Sequence, residues 1–184
     1  MERGCILPHN ELAEISREGN MVLESLSRFC DCSKEEILKV LQERNVPPSG
    51  KEYGGNSFGY KKYRKKINNK KRELREPTPM LKKIQETIKK RLMCIPISLS
   101  STAGKKGDSA ERNAEIHRYN PYLMTLDIKS AYPSIDTHRV FKCFEGALGK
   151  PLDIWAPLLE TPENKKLFIE ALTHLCVSEN ELPQ

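Results

Sequence analysis

The chain has 184 residues, of which 38% are hydrophobic and 30% are charged, and its formal net charge is +6. This length accommodates one compact domain or two small ones, with a core beneath a heavily charged surface. The first residues lack a long apolar run and no stretch approaches membrane-spanning length, so we expect no secretory signal, no membrane contact and a cytoplasmic location.

The N-terminal region predicts helices and then a loop. Residues 10–30 have an imperfect helical spacing of apolar side chains, with Gly19 as a break. Residues 33–36 form a capping-box pattern that opens a second helix. Residues 47–59 are rich in Pro, Gly and Ser and predict a linker or loop. Residues 1–50 therefore form a helical extension without a recognisable motif.

Six cysteines are scattered along the chain, and Cys30 and Cys32 are the only close pair. The spacing of this pair does not fit a zinc knuckle. Since no secretory signal is visible, we expect reduced and mostly buried thiols.

The basic charge is concentrated in one block. Residues 61–91 hold 14 Lys or Arg and 3 acidic residues, which leaves 17 of the 31 basic and 22 of the 25 acidic residues elsewhere. One basic block on a mildly acidic chain is typical of a polyanion-binding surface. The alternative is a set of solvated charges that only keep the protein soluble.

A basic β-hairpin and a helix are predicted within this block. Two strands flank Asn68-Asn69 over residues 60–76, and Tyr60, Ile67 and Leu74 are the candidate anchors. Thr78-Pro79 then starts a helix that is apolar on one face and rich in lysine on the other. The apolar face consists of Leu81, Ile84, Ile88 and Leu92.

The C-terminal half predicts a strand between helices. After a loop at residues 96–109, a short helix runs to about residue 117. Residues 122–128 have the clearest strand pattern in the chain, a buried strand that presents Asp127 near its end. A helix then begins at residue 136 or 137 and is expected to end at Gly149. The last helix begins at Thr161-Pro162, with Leu167, Phe168, Ala171, Leu172 and Leu175 inward.

Three blocks in a fixed order resemble bacterial reverse transcriptases. Residues 127–135, DIKSAYPSI, are similar to the first catalytic motif of that family, D-x-K-x-[FA]-[FY]-P-S-I. Residues 70–85 resemble its fingers hairpin and following helix, and residues 104–117 resemble its segment G-x-x-G-R-S with N-A and H after it. The terminal residues 182–184 match the opening of the next motif, L-P-Q-G. The resemblance covers roughly residues 60–184 and points to the retron and group II intron branches.

The chain also departs from the family pattern. Asp108 stands where the family has Arg, and Ala131-Tyr132 replaces the more usual Phe-Phe. No two aspartates are adjacent anywhere in the chain, so the Y-x-D-D motif is missing. This resemblance implies an RNA-directed DNA polymerase fragment that is inactive alone. Enzymes with this core serve retrons, intron mobility, diversity generation and antiviral defence.

The implied fold is α+β, a partial right-hand polymerase. It consists of an N-terminal helical extension at residues 1–50, fingers at residues 51–125, and the first part of an antiparallel palm sheet at residues 126–184. In such a fragment the strand with Asp127 lacks its neighbours, and an unpaired strand is an assembly or aggregation liability.

The resemblance also implies roles for individual residues. Asp127 and the backbone carbonyl of Ile128 would bind Mg²⁺ in a two-metal site that is incomplete in this chain. Tyr132, with Ser130 and Ala131, would lie under the sugar of the incoming nucleotide and exclude a 2′-hydroxyl. The triphosphate would be bound by Arg72 with Lys65 or Lys66. The nucleic-acid contacts would come from Lys61, Lys62, Arg64, Lys82, Lys89 and Arg91.

The implied partners are an RNA template, a DNA primer, deoxynucleoside triphosphates and a second polypeptide that completes the palm. Simpler readings of the same residues stay open. Asp127 could be an ordinary turn aspartate, Tyr132 a core side chain and the hairpin a solvated surface. At the level of function, the alternatives are a non-catalytic RNA-binding module and one half of a split polymerase.

Overall fold

The computed structural model describes residues 13, 15–17, 20–45, 59–67, 69–96, 98, 101, 107–132 and 134–177. Four segments singled out from the sequence lie outside these ranges: Gly19, most of the predicted linker at residues 47–59, residues 102–106 in the predicted loop, and the terminal residues 182–184. The elements in chain order are α1 (Met21–Cys30), α2 (Lys34–Asn45), β1 (Tyr60–Ile67), β2 (Lys70–Pro77), α3 (Pro79–Leu92), α4 (Ala110–Ile116), α5 (Thr137–Trp155) and α6 (Pro162–Cys176).

The helices begin where short-range signals predict them. Asn20 caps α1, its side-chain oxygen accepting from the Val22 N–H at 2.7 Å. The capping box of α2 is confirmed, because the Ser33 N–H donates to Glu36 Oε2 at 2.9 Å and the Glu36 N–H donates to Ser33 Oγ at 3.2 Å. Each such cap satisfies backbone donors that the first helical turn leaves unpaired.

The core is built around α6, which contacts α1, α2, α3 and α5. Phe168 of α6 is fully buried and meets Phe29 of α1 edge-on, with ring centroids 5.5 Å apart. Trp155, at the end of α5, also contacts Phe29, with ring centroids 5.8 Å apart. All five residues of α6 that the sequence predicts as inward are buried. This single core crosses both segment boundaries drawn from the sequence, after residues 50 and 125.

The α+β class is confirmed, but one predicted helix end and one predicted strand are wrong. The helix expected to end at Gly149 continues to Trp155 and passes through Pro151. Burial explains the extension, because Leu148 and Leu152 occupy successive turns of the same inward face and are 0% and 1% exposed. Their burial offsets the roughly 3 kcal/mol that a proline costs inside a helix.

The second error is the strand predicted at residues 122–128. These residues form no strand, and every residue from 109 to 130 is exposed. The apolar side chains stand out into solvent, with Leu126 78% and Ile128 72% exposed. A strand requires a neighbour to pair its backbone N–H and C=O groups, and among the described residues the sheet consists of β1 and β2 alone.

Candidate nucleic-acid interface and the Asp127 motif

The predicted hairpin is confirmed, with eight residues in each strand. The pairing is antiparallel and runs without a bulge from Tyr60 opposite Pro77 to Ile67 opposite Lys70. Asn69 in the turn has φ 62°, a left-handed conformation that asparagine tolerates and that two-residue hairpin loops require. The turn residues predicted from the sequence therefore determine the register.

The register shows which lysine lies opposite Arg72 on the same face of the hairpin. Lys65 lies directly opposite Arg72, whereas Lys66 lies opposite Lys71. Directly opposite residues share one face of a two-stranded sheet, and neighbouring residues along a strand point to opposite faces. Lys65 is thus the partner of Arg72, and Lys66 belongs to the other face. All four side chains are exposed.

These cross-strand pairs bring like charges together next to the turn. The hairpin carries nine basic and two acidic residues between Tyr60 and Pro77. Like charges directly opposite each other destabilise a sheet, so a bound polyanion would relieve the repulsion. Lys61 and Arg64 are also exposed along β1, while the side chain of Lys62 lies outside the described part of the structure.

The root of the hairpin is held on the helical core. The Gln85 Nε2 group of α3 donates to the Tyr60 hydroxyl at 2.6 Å and to the Leu175 carbonyl of α6 at 2.8 Å. Tyr60 is confirmed as an anchor on the core, whereas Ile67 and Leu74 are half-buried away from it. The sequence did not predict that Gln85 would link the hairpin to α6. The available signal was a polar residue beside the apolar stripe of α3.

Two lysines of α3 extend the basic surface. Lys82 and Lys89 lie three residues before and four residues after Gln85, which places them on its side of the helix. Both are exposed. Because Gln85 contacts the hairpin root, these lysines lie on the hairpin side of α3. The basic surface is our name for the exposed cations on both faces of the hairpin and on this side of α3: Lys61, Arg64, Lys65, Lys66, Lys71, Arg72, Lys82 and Lys89.

Arg91 is set apart from the basic surface by its contacts with α1, while its role in nucleic-acid binding stays a prediction. Its Nε donates to the Phe29 carbonyl at 2.6 Å, and its NH2 group donates to the Arg28 carbonyl at 3.0 Å. The guanidinium carbon also lies 5.1 Å from the centroid of the Phe29 ring. Arg91 therefore satisfies carbonyls at the end of α1 that have no partner within that helix.

We expect Arg91→Ala to lower the free energy of unfolding by about 2 kcal/mol, because the variant loses these hydrogen bonds and the cation–π contact. Urea unfolding followed by circular dichroism measures the change. Lys90→Ala is the matched control, since Lys90 is the exposed neighbour on the same helix and its removal should change stability by less than about 0.5 kcal/mol. Equal unfolding midpoints for both variants would contradict the structural role.

The motif around Asp127 has a defined turn after its exposed segment. Ser130 adopts φ 55°, and the Ser134 hydroxyl donates to the carbonyls of Ser130 and Ala131 at 3.0 and 2.9 Å. Asp136 then caps α5, its Oδ1 accepting from the Arg139 N–H at 2.8 Å. The predicted passage from Asp127 through a turn into a helix is confirmed, although no strand precedes the turn.

The nucleotide residues predicted near this turn are accessible. Tyr132 is 58% exposed, so it is not a core tyrosine under the following helix. Ser130 is exposed and Ala131 is half-buried. Asp108, at the position where the resemblance implies Arg, has a side chain only 7% exposed and lies 3.8 Å from Arg112. That carboxylate is used within its own segment, where it neutralises a nearby cation.

A magnesium site is not assembled by the described residues. Asp127 is exposed and its segment contributes a single carboxylate, whereas a divalent cation requires several oxygen ligands held together. No three His, Cys, Asp or Glu side chains are grouped as metal ligands in the part of the chain that the structure describes. Any metal at Asp127 would need further carboxylates from elsewhere.

None of the protein-family models, curated proteins or solved structures compared with this chain matches it. Within the described ranges, no helix combines the length and the apolar character needed to cross a bilayer.

Proposed function

We propose that this chain contributes the fingers hairpin and the first metal-binding carboxylate of an RNA-directed DNA polymerase. The observation on which the proposal rests is the hairpin register, which sets Lys65 opposite Arg72. An Arg and a Lys on the same exposed face can bind a triphosphate, the first as a planar fork and the second as a point charge. The rest of the basic surface would follow the phosphates of template and primer.

The exposed segment around Asp127 supports the same proposal. Tyr122, Leu126 and Ile128 present apolar side chains to solvent on both sides of Asp127. Contiguous exposed apolar residues indicate a surface that another element covers. In the proposed polymerase, further palm strands would cover this segment and bring the carboxylates that complete the metal site. They would come from another part of the polymerase or from a second polypeptide.

We expect the 184-residue chain alone to show no DNA synthesis, because the described residues group no further metal ligands with Asp127. The assay supplies an RNA template, a labelled DNA primer, deoxynucleoside triphosphates and Mg²⁺, and measures extension on a gel. Robust extension would refute this expectation. Extension that begins only when a second polypeptide is added would identify a split polymerase.

A second function, RNA binding without chemistry, is favoured by the like-charge pairs near the hairpin turn. Repulsion between Lys65 and Arg72 and between Lys66 and Lys71 would be relieved by any polyphosphate backbone. The two functions differ in the result expected when a polypeptide that supplies the missing palm strands is added. A binding module retains RNA affinity and never extends a primer, whichever polypeptide is added.

In an assembly that extends primers, we expect Tyr132→Val to weaken the rejection of ribonucleotides by about tenfold or more, because the smaller side chain leaves room for a 2′-hydroxyl. The ratio of kcat/KM for a deoxynucleotide to that for the matching ribonucleotide measures this. Tyr122→Val is the control, since Tyr122 is 91% exposed and lies before Asp127. Unchanged discrimination in the Tyr132 variant would refute the sugar contact.

A further inference from the structure

Cys30 and Cys32 lie on either side of the residue that reverses the chain after α1. Asp31 between them is left-handed, with φ 51° and ψ 52°. Helical dihedrals of either hand place the two flanking Cα atoms about 5.4 Å apart, and a disulfide spans roughly 4.4 to 6.8 Å. The turn is fixed by Ser27, whose hydroxyl donates to the Cys32 carbonyl at 2.6 Å and whose carbonyl accepts from the Cys32 N–H at 3.2 Å.

The two thiols differ in accessibility and in acidity. Cys30 is fully buried, whereas Cys32 is half-buried at the edge of the core. The interaction between the two thiols lowers the pKa of Cys32 and, together with burial, raises the pKa of Cys30. Lys83 also lowers the pKa of Cys32, against the opposing effects of burial and of Glu36 and Asp31. Cys32 is thus the more acidic thiol and the one that solvent reaches.

We infer that Cys30 and Cys32 form a redox-active dithiol that closes reversibly into a disulfide, with Cys32 as the attacking sulfur. This is the arrangement in which an accessible thiolate reacts first and an adjacent buried thiol resolves the product. The inference is independent of the proposed polymerase function, because it depends only on the end of α1 and its immediate contacts.

With hydrogen peroxide as the oxidant, the Cys32 thiolate attacks one peroxide oxygen, the O–O bond breaks, and hydroxide leaves and is protonated to water. Cys32 is then a sulfenic acid. The Cys30 sulfur attacks the Cys32 sulfur, forms the S–S bond and displaces hydroxide, which takes up the Cys30 proton to become a second water. The dithiol loses two electrons and two protons, and one peroxide is reduced to two waters.

The full 184-residue protein tests this directly. The reduced protein receives one equivalent of hydrogen peroxide, free thiols are alkylated with iodoacetamide, and the protein is digested with trypsin. Cleavage after Arg28 and Lys34 releases residues 29–34, which contain Cys30 and Cys32 and no other cysteine. We expect this peptide to be lighter by two hydrogen atoms and unalkylated, and to become doubly alkylated after dithiothreitol.

Variants assign the roles of the two sulfurs. Cys30→Ser should lose the disulfide and leave a Cys32 sulfenic acid that dimedone traps. Cys30→Ala should give the same result. This variant is included because a serine hydroxyl at the buried position could unfold the protein. Cys176→Ser is the matched control, because Cys176 is close enough to Cys30 to raise its pKa, and its removal should leave the yield of the disulfide unchanged.

Two outcomes would overturn the inference. In the first, residues 29–34 remain doubly alkylated at a peroxide dose that oxidises the exposed thiols of Cys94 and Cys143. In the second, Cys32 is recovered linked to Cys176 instead of Cys30. Either result would show that the turn at Asp31 does not hold a reactive pair.

Discussion

Asp127→Asn should abolish primer extension by a polymerase assembled around this chain, reducing it to the background of the assay. The amide has the shape of the carboxylate but no negative charge, and Mg²⁺ at a two-metal site requires that charge. Asp127 is exposed, so the substitution should leave the fold of the chain intact. Gel-based extension under single-turnover conditions measures the loss, and RNA affinity measured in parallel should remain within about twofold.

Asp136→Asn is the matched control for this variant. Asp136 follows the turn, nine residues after Asp127, and its replacement makes the same change of charge. It caps α5 through Oδ1, and asparagine caps helices as well as aspartate does. We therefore expect the Asp136 variant to retain extension. Comparable extension by the Asp127 variant and the unmodified assembly would exclude Asp127 as a metal ligand.

Lys65→Ala combined with Arg72→Ala should weaken RNA binding by about tenfold or more at low salt. If each side chain neutralises one phosphate, the slope of log affinity against log salt concentration should become shallower by roughly 1.4 to 1.8. Fluorescence anisotropy with a labelled RNA over a salt series measures both quantities. The exposed positions of both side chains make a folding defect unexpected, and a thermal melt checks this.

Two further double variants distinguish the effect of the position of the cations from the effect of net charge on RNA affinity. Lys142→Ala with Lys165→Ala removes the same charge from α5 and α6, where these lysines pair with Glu145 and Asp153. An equal loss of RNA affinity in this control would show that only net charge matters. Lys66→Ala with Lys71→Ala alters the opposite face of the hairpin. In an assembly that extends primers, only the variant in which Lys65 and Arg72 are both replaced should have a raised KM for deoxynucleotides.

The elements that the sequence predicted correctly have signals within a few neighbouring residues. The Asn68-Asn69 turn set the hairpin, the Ser33 to Glu36 box set the start of α2, and Thr78-Pro79 set the start of α3. These signals act through backbone conformation and through capping of unpaired donors, which depend on local chain geometry. Their outcome does not require knowledge of what packs against the element.

The errors arose where distant contacts decide the structure. The pattern at residues 122–128 matches a strand, but a strand forms only when another strand pairs with it. The end of α5 follows the burial of Leu152 and not the local weakness at Gly149 and Pro151. The contact of Arg91 with the Phe29 carbonyl of α1 is likewise a distant contact that the sequence did not predict.

The sequence by itself determined the helix starts, the hairpin and its turn, the basic block and the motif that contains Asp127. Only the tertiary structure decided that Gln85 joins the hairpin to α6, that Arg91 contacts the end of α1, and that Cys30 is buried while Cys32 stays partly exposed. The physical reason is that burial, and contacts between side chains of different elements, depend on residues far apart in the chain. Composition and spacing report only the neighbours along the chain.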